Sequence, residues 1–194
     1  MSSAPWVVEP LTAERWPAFE ALLSESGPGA RCWCMYWRIG SAYRRRPADE
    51  NRSDITRIVE GGASPGLLAM EGDDAVGWCQ VTPRADVPAL DRPWRLRAVD
   101  DVPVWSISCF YVRRSHRRSG VTEALIDAAV AVARQAGAPA VEAYPLDGEV
   151  SPSATSTGYA STFERAGFTE VERRSPERPI MRLWLDSTEP SEHP

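Results

Sequence analysis

The spacing of apolar and polar residues changes along the chain, and these changes predict its secondary structure. An apolar run at residues 6–11 predicts a strand, and apolar residues at helical spacing over 13–26 predict a helix with Thr12 as its N-cap. The glycine-rich stretch GPG ends this helix. A polar segment then leads into a second predicted helix, which ends at the two glycines at 61–62.

From residue 66 onward the pattern predicts a sheet with helices between its strands. Two apolar runs joined by EGDD predict a hairpin, and the proline-rich stretch 84–101 predicts an irregular excursion between strands. Gly137 ends a strongly amphipathic helix over 120–136. The remaining predicted elements are strands at 102–112, 139–146, 168–174 and 179–185, a loop of small residues at 147–158 and a short helix at 159–167. This order predicts a mixed α/β fold with one central sheet.

The composition is ordinary for a soluble globular protein, with 43% hydrophobic and 25% charged residues in a chain of 194. We expect one domain over 6–186 between two flexible ends, residues 1–5 and 187–194. No apolar stretch reaches the roughly 18 residues of a membrane span, and the N-terminus lacks the pattern of a signal peptide. We therefore predict a cytoplasmic protein without a membrane partner. The net charge of −5 argues against nucleic acid as a partner.

All 22 basic residues are arginine, with local clusters at 44–46 and 113–118. The absence of lysine fits either codon usage in a GC-rich genome or a protein that avoids modifying its own lysines. Four cysteines, at positions 32, 34, 79 and 109, are predicted to be free thiols that pack as small hydrophobic residues. Since Cys32 and Cys34 form a C-x-C pair and no second close pair exists, we predict no metal site.

The sequence RRSHRRSG at 113–120 lies between a predicted strand and the amphipathic helix. A helix N-terminus offers free backbone N–H groups and the positive end of the helix dipole, which together bind anions. Gly120 lets the backbone approach a ligand, and the arginines add positive charge; we assign His116 charge and no proton transfer. The pattern predicts a phosphate or pyrophosphate site, and the alternative is a solvated basic turn without a ligand. It matches neither a Walker loop nor a dinucleotide-binding motif.

Residues 117–122, R-R-S-G-V-T, resemble the Q/R-x-x-G-x-G/A signature of the GCN5-related N-acetyltransferases, the GNAT superfamily. FERAGF at 163–168 resembles a second stretch of that family, YxxxGF after its last short helix. The resemblance covers residues 66–185 well and 6–60 only in the order of elements. It implies the GNAT fold, in which a mixed, mostly antiparallel central sheet is flanked by helices on both faces.

The resemblance implies a binding site for acetyl-CoA along the loop and the strand before it. The pyrophosphate would be held by the loop amides of Arg117, Arg118, Ser119, Gly120, Val121 and Thr122, and the pantetheine arm would run beside Phe110, Tyr111 and Val112. One strand amide would polarise the thioester carbonyl. Arg113, Arg114 or Arg118 would meet the 3′-phosphate. Thr122 departs from the family, which usually has glycine or alanine there.

Phe163 is a second departure, because many family members have there a tyrosine that reprotonates the CoA thiolate. Tyr159, one helical turn earlier, is the candidate for this acid, and a water is the alternative. Glu142 and Tyr144 lie on one face of the strand after the long helix and are the candidates for accepting the amine proton. The alternative for both is an ordinary strand residue bound by its neighbours. Second candidates for the base are Asp147 and Glu149.

Trp33, Tyr36 and Trp37 lie in the region that roofs the acceptor pocket in the resembled fold. They would bind substrate by packing against an apolar acceptor or by stacking over a cation. The alternative is that they seal a helix to the sheet. The acidic balance of the chain suits a cationic amine as acceptor.

The resemblance implies an acyltransferase that moves an acetyl group from acetyl-CoA to a primary amine by direct attack in a ternary complex, without a metal. The amine would belong to a small molecule, or to a protein lysine or N-terminus. Many relatives dimerise, so the resemblance leaves a homodimer open. Two alternatives remain: a non-catalytic acyl-CoA-binding or regulatory module of the same fold, and a domain that binds a phosphorylated partner or RNA.

Overall fold

Seven strands of the described chain form one sheet. The computed structural model describes residues 6–148 and 156–185; the predicted flexible ends, Glu149 and most of the predicted loop of small residues lie outside these ranges. The strands are β1 (Val7–Pro10), β2 (Leu67–Glu71), β3 (Asp74–Pro83), β4 (Trp105–Val112), β5 (Ala140–Ala143), β6 (Thr169–Ser175) and β7 (Arg178–Trp184). Their order is β1-β2-β3-β4-β5-β7-β6, and every neighbouring pair is antiparallel except the parallel pair β4 and β5.

Helices surround the sheet within the described ranges. They are α1 (Trp16–Ser24), α2 (Gly29–Cys32), α3 (Tyr36–Ile39), α4 (Ala48–Glu60), α5 (Val121–Gln135) and α6 (Ala160–Arg165). The predicted irregular excursion carries the short 3-10 helices Arg84–Asp86, Pro88–Asp91 and Trp94–Leu96. None of the helices in these ranges has the length and apolar character needed to cross a membrane.

Both faces of the sheet carry a hydrophobic core, because alternate strand residues point to opposite sides. On one face Leu67 and Ala69 of β2 pack with residues of α5 and α6. On the other face Leu68 and Met70 of the same strand pack with residues of α1 and α4. This arrangement confirms the predicted fold class, a mixed and mostly antiparallel sheet with helices on both faces.

The start of α1 differs from the prediction. Thr12 does not cap the helix: its hydroxyl is buried without a hydrogen-bond partner among the described residues, and the helix begins at Trp16 after a turn. Pro17 explains the shift, because its fixed φ and missing N–H suit the first helical turn and fix where the helix starts.

β4 and β5 pair over a short stretch and then separate. The parallel pairs join Trp105–Ile107 to Val141–Ala143. At the next residue, Ser108, the register between β3 and β4 shifts, so that β4 carries one extra residue there. Beyond this bulge, residues 109–112 form a ladder only with β3 among the described strands. We call residues 108–112 the free edge of β4. β4 and β5 separate beyond their shared ladder, and we call the space between them the opening.

Gly77 of β3 allows α5 to pack closely on the sheet. A Cβ at this position would lie 2.5 Å from Cγ1 of Val121 and 3.2 Å from Cδ1 of Leu125. We expect Gly77→Ala to lower the free energy of unfolding by about 1–3 kcal/mol, the usual cost of overpacking a core. Chemical denaturation measures this loss. Gly27→Ala is the matched control, because a Cβ there meets no atom within 4 Å, and an equal loss in both variants would contradict the packing argument.

Candidate functional site

The basic loop connects the end of β4 to the start of α5. Gly120 is the N-cap of α5 and has a φ of 84°, and Arg118 has a φ of 61°, so both lie in the left-handed region. This conformation favours glycine, and a Cβ at Gly120 would point into open space. The turn therefore exposes the backbone of the loop instead of burying it against the protein.

Consecutive loop amides, from Arg117 to Thr122, have no hydrogen-bond acceptor within the described residues. The bond that begins the helix runs from the Ala124 N–H to the Gly120 carbonyl, so the N–H groups before it remain free. Free amides at the positive end of a fifteen-residue helix form a site for an anion such as a pyrophosphate. The structure thus places all six predicted loop residues in one turn with free backbone amides, and their binding of a pyrophosphate stays a prediction.

The charged side chains of the loop fall into two groups. Arg113 forms two hydrogen bonds with the carboxylate of Glu25, at 3.0 and 2.9 Å, and His116 lies 3.2 Å from a carboxylate oxygen of Glu71. Arg114, Arg117 and Arg118 are exposed and have no carboxylate within 4 Å among the described residues. Of the three arginines predicted to meet the 3′-phosphate, Arg114 and Arg118 are therefore available, while Arg113 is already paired.

The free edge of β4 directs backbone N–H groups into the opening. The Arg113 N–H donates to β3, and N–H groups of successive strand residues point to opposite sides, so the Val112 N–H points to the free edge. The Phe110 N–H points the same way and donates to the Ser156 carbonyl at 2.5 Å. The side chains of Phe110 and Val112 pack on the α5 face, and that of Tyr111 packs on the opposite face.

Glu142 of β5 is buried in a network of hydrogen bonds, with 1% of its surface exposed. Its Oε1 accepts hydrogen bonds from Arg182 at 3.0 and 2.6 Å, and its Oε2 accepts one from the Tyr144 hydroxyl at 2.9 Å. Arg182 also forms a pair of hydrogen bonds with Asp100. Both carboxylate oxygens of Glu142 are thus occupied, and its assignment as the base stays a prediction.

Tyr144 is fully buried beside Glu142. Its hydroxyl accepts a hydrogen bond from Arg84 Nη1 at 2.6 Å and lies 3.1 Å from the Ser106 hydroxyl. Burial raises the pKa of Tyr144 well above its ordinary value, and the neighbouring Glu142 carboxylate raises it further. The phenol therefore stays protonated at neutral pH and orients the carboxylate.

Tyr159 and Phe163 differ in how far their side chains are buried. Phe163 is fully buried, with its ring centroid 6.1 Å from that of Phe110 and 5.2 Å from that of Phe168. Tyr159 is 38% exposed, immediately precedes α6 and forms a parallel bridge with Leu146 beyond the end of β5. Its backbone lies three residues after Ser156, whose carbonyl meets the free edge, and its role as the acid stays a prediction.

The predicted acceptor-binding aromatics lie in different environments. Trp33 is 5% exposed and stacks on Trp16, with ring centroids 6.2 Å apart. Trp37 is also buried and belongs to the cluster around Tyr144. Tyr36 is half-buried and makes an edge-to-face contact with Trp37, with the ring centroids 4.5 Å apart. Of the three, Tyr36 has the most surface left for a ligand, and the binding roles of all three stay predictions.

The sequence analysis missed polar residues that lie inside apolar strands. The Ser108 hydroxyl donates to Gln80 at 3.0 Å, and the Gln80 amide donates to the Cys34 carbonyl at 3.0 Å, which joins the bulge of β4 to the segment between α2 and α3. Arg84 and Arg182 complete the network around Glu142. A signal was present, because Gln80 and Arg182 each interrupt an otherwise apolar run.

Comparison with known proteins identifies the family of this chain. The sequence profile of the Acetyltransferase (GNAT) family matches residues 16–153, a range that includes the basic loop and the free edge of β4. The chain belongs to this GNAT family. Membership supports acetyl transfer as the general activity. No curated protein sequence matches the chain.

Solved GNAT structures share the fold at low sequence identity. The PaiA N-acetyltransferase of Thermoplasma acidophilum, solved in complex with coenzyme A, is 12% identical with a TM-score of 0.55, over 95% of this chain and 99% of that one. The GNAT domain of S. lividans PAT is 19% identical with a TM-score of 0.57, over 93% and 90%. A GNAT-family acetyltransferase of Listeria monocytogenes is 13% identical with a TM-score of 0.58, over 95% and 99%.

Proposed function

We propose that this GNAT protein binds acetyl-CoA and transfers its acetyl group to a primary amine. The observation that carries the proposal is the turn before α5, where the free amides of Arg117 to Thr122 lie beside three exposed arginines without a carboxylate partner in the described chain. Such a turn fits a pyrophosphate with an additional phosphate nearby. The similar T. acidophilum structure contains coenzyme A, which supports the same ligand here.

In the proposed reaction the amine attacks the thioester carbonyl in a ternary complex. A C–N bond forms, the C–S bond breaks, the nitrogen loses one proton and the sulfur gains one. The Phe110 N–H on the free edge of β4 is suited to stabilise the oxyanion of the tetrahedral intermediate. Because this N–H donates to the Ser156 carbonyl, that carbonyl has to give way to the thioester oxygen. The Val112 N–H is suited to bind the pantetheine arm.

Glu142 and Tyr144 were the candidates for accepting the amine proton. Since Arg182 and Tyr144 already occupy both oxygens of Glu142, we propose that the pair holds the end of β5 in place on the acceptor side. Variants of Glu142 and Arg182 distinguish this positioning role from acceptance of the amine proton. A small-molecule amine, a protein lysine or an N-terminus as acceptor, a cytoplasmic location, a homodimer and the single domain over 6–186 all stay predictions.

Calorimetric titration with acetyl-CoA, followed by an assay of free thiol release with added amines, tests the proposal. Binding together with amine-dependent thiol release supports an acetyltransferase. Binding without thiol release across a broad set of amines favours a non-catalytic acyl-CoA-binding module, an alternative for which Phe163 in place of a tyrosine is the supporting observation. No binding of acetyl-CoA overturns the proposal and leaves the arginine cluster to a different anionic partner.

Tyr159 is the proposed acid that protonates the CoA thiolate. We expect Tyr159→Phe to lower kcat by about 10- to 100-fold, within or just below the usual range for positioned acid catalysis, and to leave the Kd for acetyl-CoA unchanged. Tyr43→Phe is the control, because the Tyr43 hydroxyl binds Arg44 at the surface. An unchanged kcat in Tyr159→Phe would assign the proton to water instead.

A further inference from the structure

Two half-buried arginines beside the opening have no carboxylate partner. Most half-buried or buried arginines of the described chain lie within 4 Å of a carboxylate. These paired arginines are Arg15, Arg46, Arg52, Arg84, Arg113, Arg174 and Arg182. Arg38, Arg95 and Arg178 are the exceptions within the described ranges. Because a guanidinium is always charged, its removal from water without an anion is costly, and such exceptions indicate a site for a ligand.

Arg178 lies at the mouth of the opening. It is the first residue of β7, and its Nη1 donates to the Tyr144 carbonyl and to the Thr157 hydroxyl, both at 2.9 Å. Thr157 directly follows Ser156, whose carbonyl meets the Phe110 N–H on the free edge of β4. Arg178 is therefore one residue removed from the backbone contact that closes the proposed thioester site.

Arg95 lies on a segment that is fixed near the start of β7, because Arg174 of β6 binds this segment and the next residue, Ser175, pairs with Arg178. Arg174 of β6 fixes the segment by donating to the carbonyls of Trp94 and Arg97, at 3.4 and 2.7 Å. The Nε of Arg95 is buried and has no hydrogen-bond partner among the described residues. The 3-10 helix Trp94–Leu96 thus holds an unsatisfied guanidinium donor on the segment fixed near the start of β7, where Arg178 lies.

The two guanidinium groups act on each other. Burial lowers the pKa of Arg178, and the positive charge of Arg95 lowers it further, while Glu177 and Tyr36 act in the opposite direction. Tyr36, the predicted acceptor-binding residue with the most free surface, packs against the buried cluster that contains Leu96 and Ile180, which lie one residue after Arg95 and two residues after Arg178. Arg38 is set apart, because its Nη1 donates to the Asp86 carbonyl and its charge is offset by the Asp86 carboxylate.

We propose that Arg95 and Arg178 bind a carboxylate of the acceptor, so that the acceptor is an amine of amino-acid type. This inference rests on the proposed acetyl transfer. A carboxylate accepts the paired N–H groups of a guanidinium in one plane, and the Arg95 guanidinium donates no hydrogen bond within the described residues. The net charge of the chain suggested a cationic acceptor. The charge that a bound group meets is the local one, and Arg95 and Arg178 make it positive here.

The test compares acceptors that differ only in the carboxylate. Glycine, leucine and phenylalanine are each assayed beside the corresponding amide, with thiol release as the readout and O-phosphoethanolamine as a phosphate-bearing amine. We expect at least one acid to exceed its amide in kcat/KM by about 10-fold to 100-fold, the range for hydrogen bonds to charged groups. A kcat/KM for the amides that equals or exceeds that for the acids would overturn the inference and leave acetyl transfer intact. Preference for O-phosphoethanolamine over every acid would overturn the carboxylate assignment.

Arg95→Gln is the decisive variant, because Arg95 makes no side-chain hydrogen bond within the described residues, so its replacement removes none of the hydrogen bonds there. We expect it to reduce the acid-to-amide ratio to about one. Arg97→Gln is the matched control, since Arg97 is an exposed arginine two residues along the same segment. An equal fall of the acid-to-amide ratio in both variants would show that the preference for acids comes from the positive charge of the whole segment. That result would overturn the proposed carboxylate site.

Binding separates failure of the inference from failure of the proposed function. If acetyl-CoA binds but no amine is turned over, calorimetry with the N-acetyl forms of the same three amino acids in the presence of CoA replaces the kinetic assay. Weaker binding in Arg95→Gln than in Arg97→Gln then supports the carboxylate site, and equal binding overturns it. If acetyl-CoA does not bind, the proposed function fails, and the acceptor assignment fails with it.

Discussion

Replacing Gly120 with aspartate is expected to weaken acetyl-CoA binding by at least about 100-fold more than replacing it with asparagine. The two side chains have the same shape and differ in one negative charge. Two like charges 4 Å apart repel by about 4 kcal/mol at an effective dielectric of 20, which exceeds the 2.7 kcal/mol or so of a 100-fold change. The expected difference is therefore a direct measure of an anion at this turn.

The geometry of Gly120 makes this comparison clean. Both variants carry the same cost of a left-handed residue at a φ of 84°, about 1–2 kcal/mol, and asparagine and aspartate tolerate this region better than other residues. A Cβ at this position meets no protein atom within 4 Å. A negative charge at a helix N-terminus favours the helix, so aspartate does not destabilise the fold more than asparagine does.

Calorimetric titration of the wild type and the two variants with acetyl-CoA checks this prediction, with thermal unfolding of each protein as the control for folding. Arg117→Ala, combined with Gly120→Asp, should leave no measurable binding. Equal affinities of the Asp and Asn variants would show that no phosphate of the ligand lies near Gly120, and the loop would then lose its assigned role.

The loop was predictable from the sequence because its physics is local. A strand, a cluster of arginines, a glycine and an amphipathic helix follow one another directly, and the anion site consists of the amides of those same residues. The hairpin at 71–74 and the single central sheet were predictable for the same reason, since periodicity reports burial of each element, whereas helices on both faces were implied by the family resemblance. The family profile over 16–153 agrees with the resemblance that the motif suggested.

The surroundings of Glu142 and Arg178 were not predictable, because they depend on which strands become neighbours. β7 lies between β5 and β6 in the sheet, and this order places Arg182 opposite Glu142 across forty residues of sequence. The excursion 84–101 contributes Arg84, Arg95 and Asp100 to the same face without any regular pattern of its own. Periodicity predicts which face of the sheet a residue lies on, whereas the order of the strands determines which residue it pairs with.

Arg182→Leu is expected to lower the free energy of unfolding by about 3–5 kcal/mol, the usual loss when one member of a buried ion pair is removed. Arg182 and Glu142 are 3% and 1% exposed, so the variant leaves a buried carboxylate with the Tyr144 hydroxyl as its closest remaining partner and Arg84 at 3.8 Å. Chemical denaturation measures the loss. Arg57→Leu is the control, because its ion pair with Asp54 lies at the surface and is worth about 1 kcal/mol or less.

Asp100 gives the same variant a signature in acid. The hydrogen bonds from Arg182 hold the pKa of the Asp100 carboxyl below its ordinary value. A carboxyl with a lowered folded-state pKa contributes stability above its unfolded pKa, about 4, and this contribution is lost as the pH falls through the lower folded value. We therefore expect the stability difference between wild type and Arg182→Leu to shrink below pH 4. A difference independent of pH would mean that Asp100 does not bind Arg182 in solution.

Glu142→Gln decides whether this network positions residues or moves protons. The amide oxygen still accepts from Arg182, the NH2 group donates to the Tyr144 hydroxyl, and Arg182 stays bound to Asp100, so we expect a smaller loss of stability than in Arg182→Leu. If Glu142 only holds the end of β5, kcat at a temperature far below unfolding should stay within about 3-fold of wild type, because positioned proton transfer by a side chain is typically worth 100-fold or more. A loss of that larger size in a folded Glu142→Gln protein would instead assign the amine proton to Glu142. The hydrogen bond from Arg182 would then have to break or rearrange during each turnover, since both carboxylate oxygens are occupied in the folded structure.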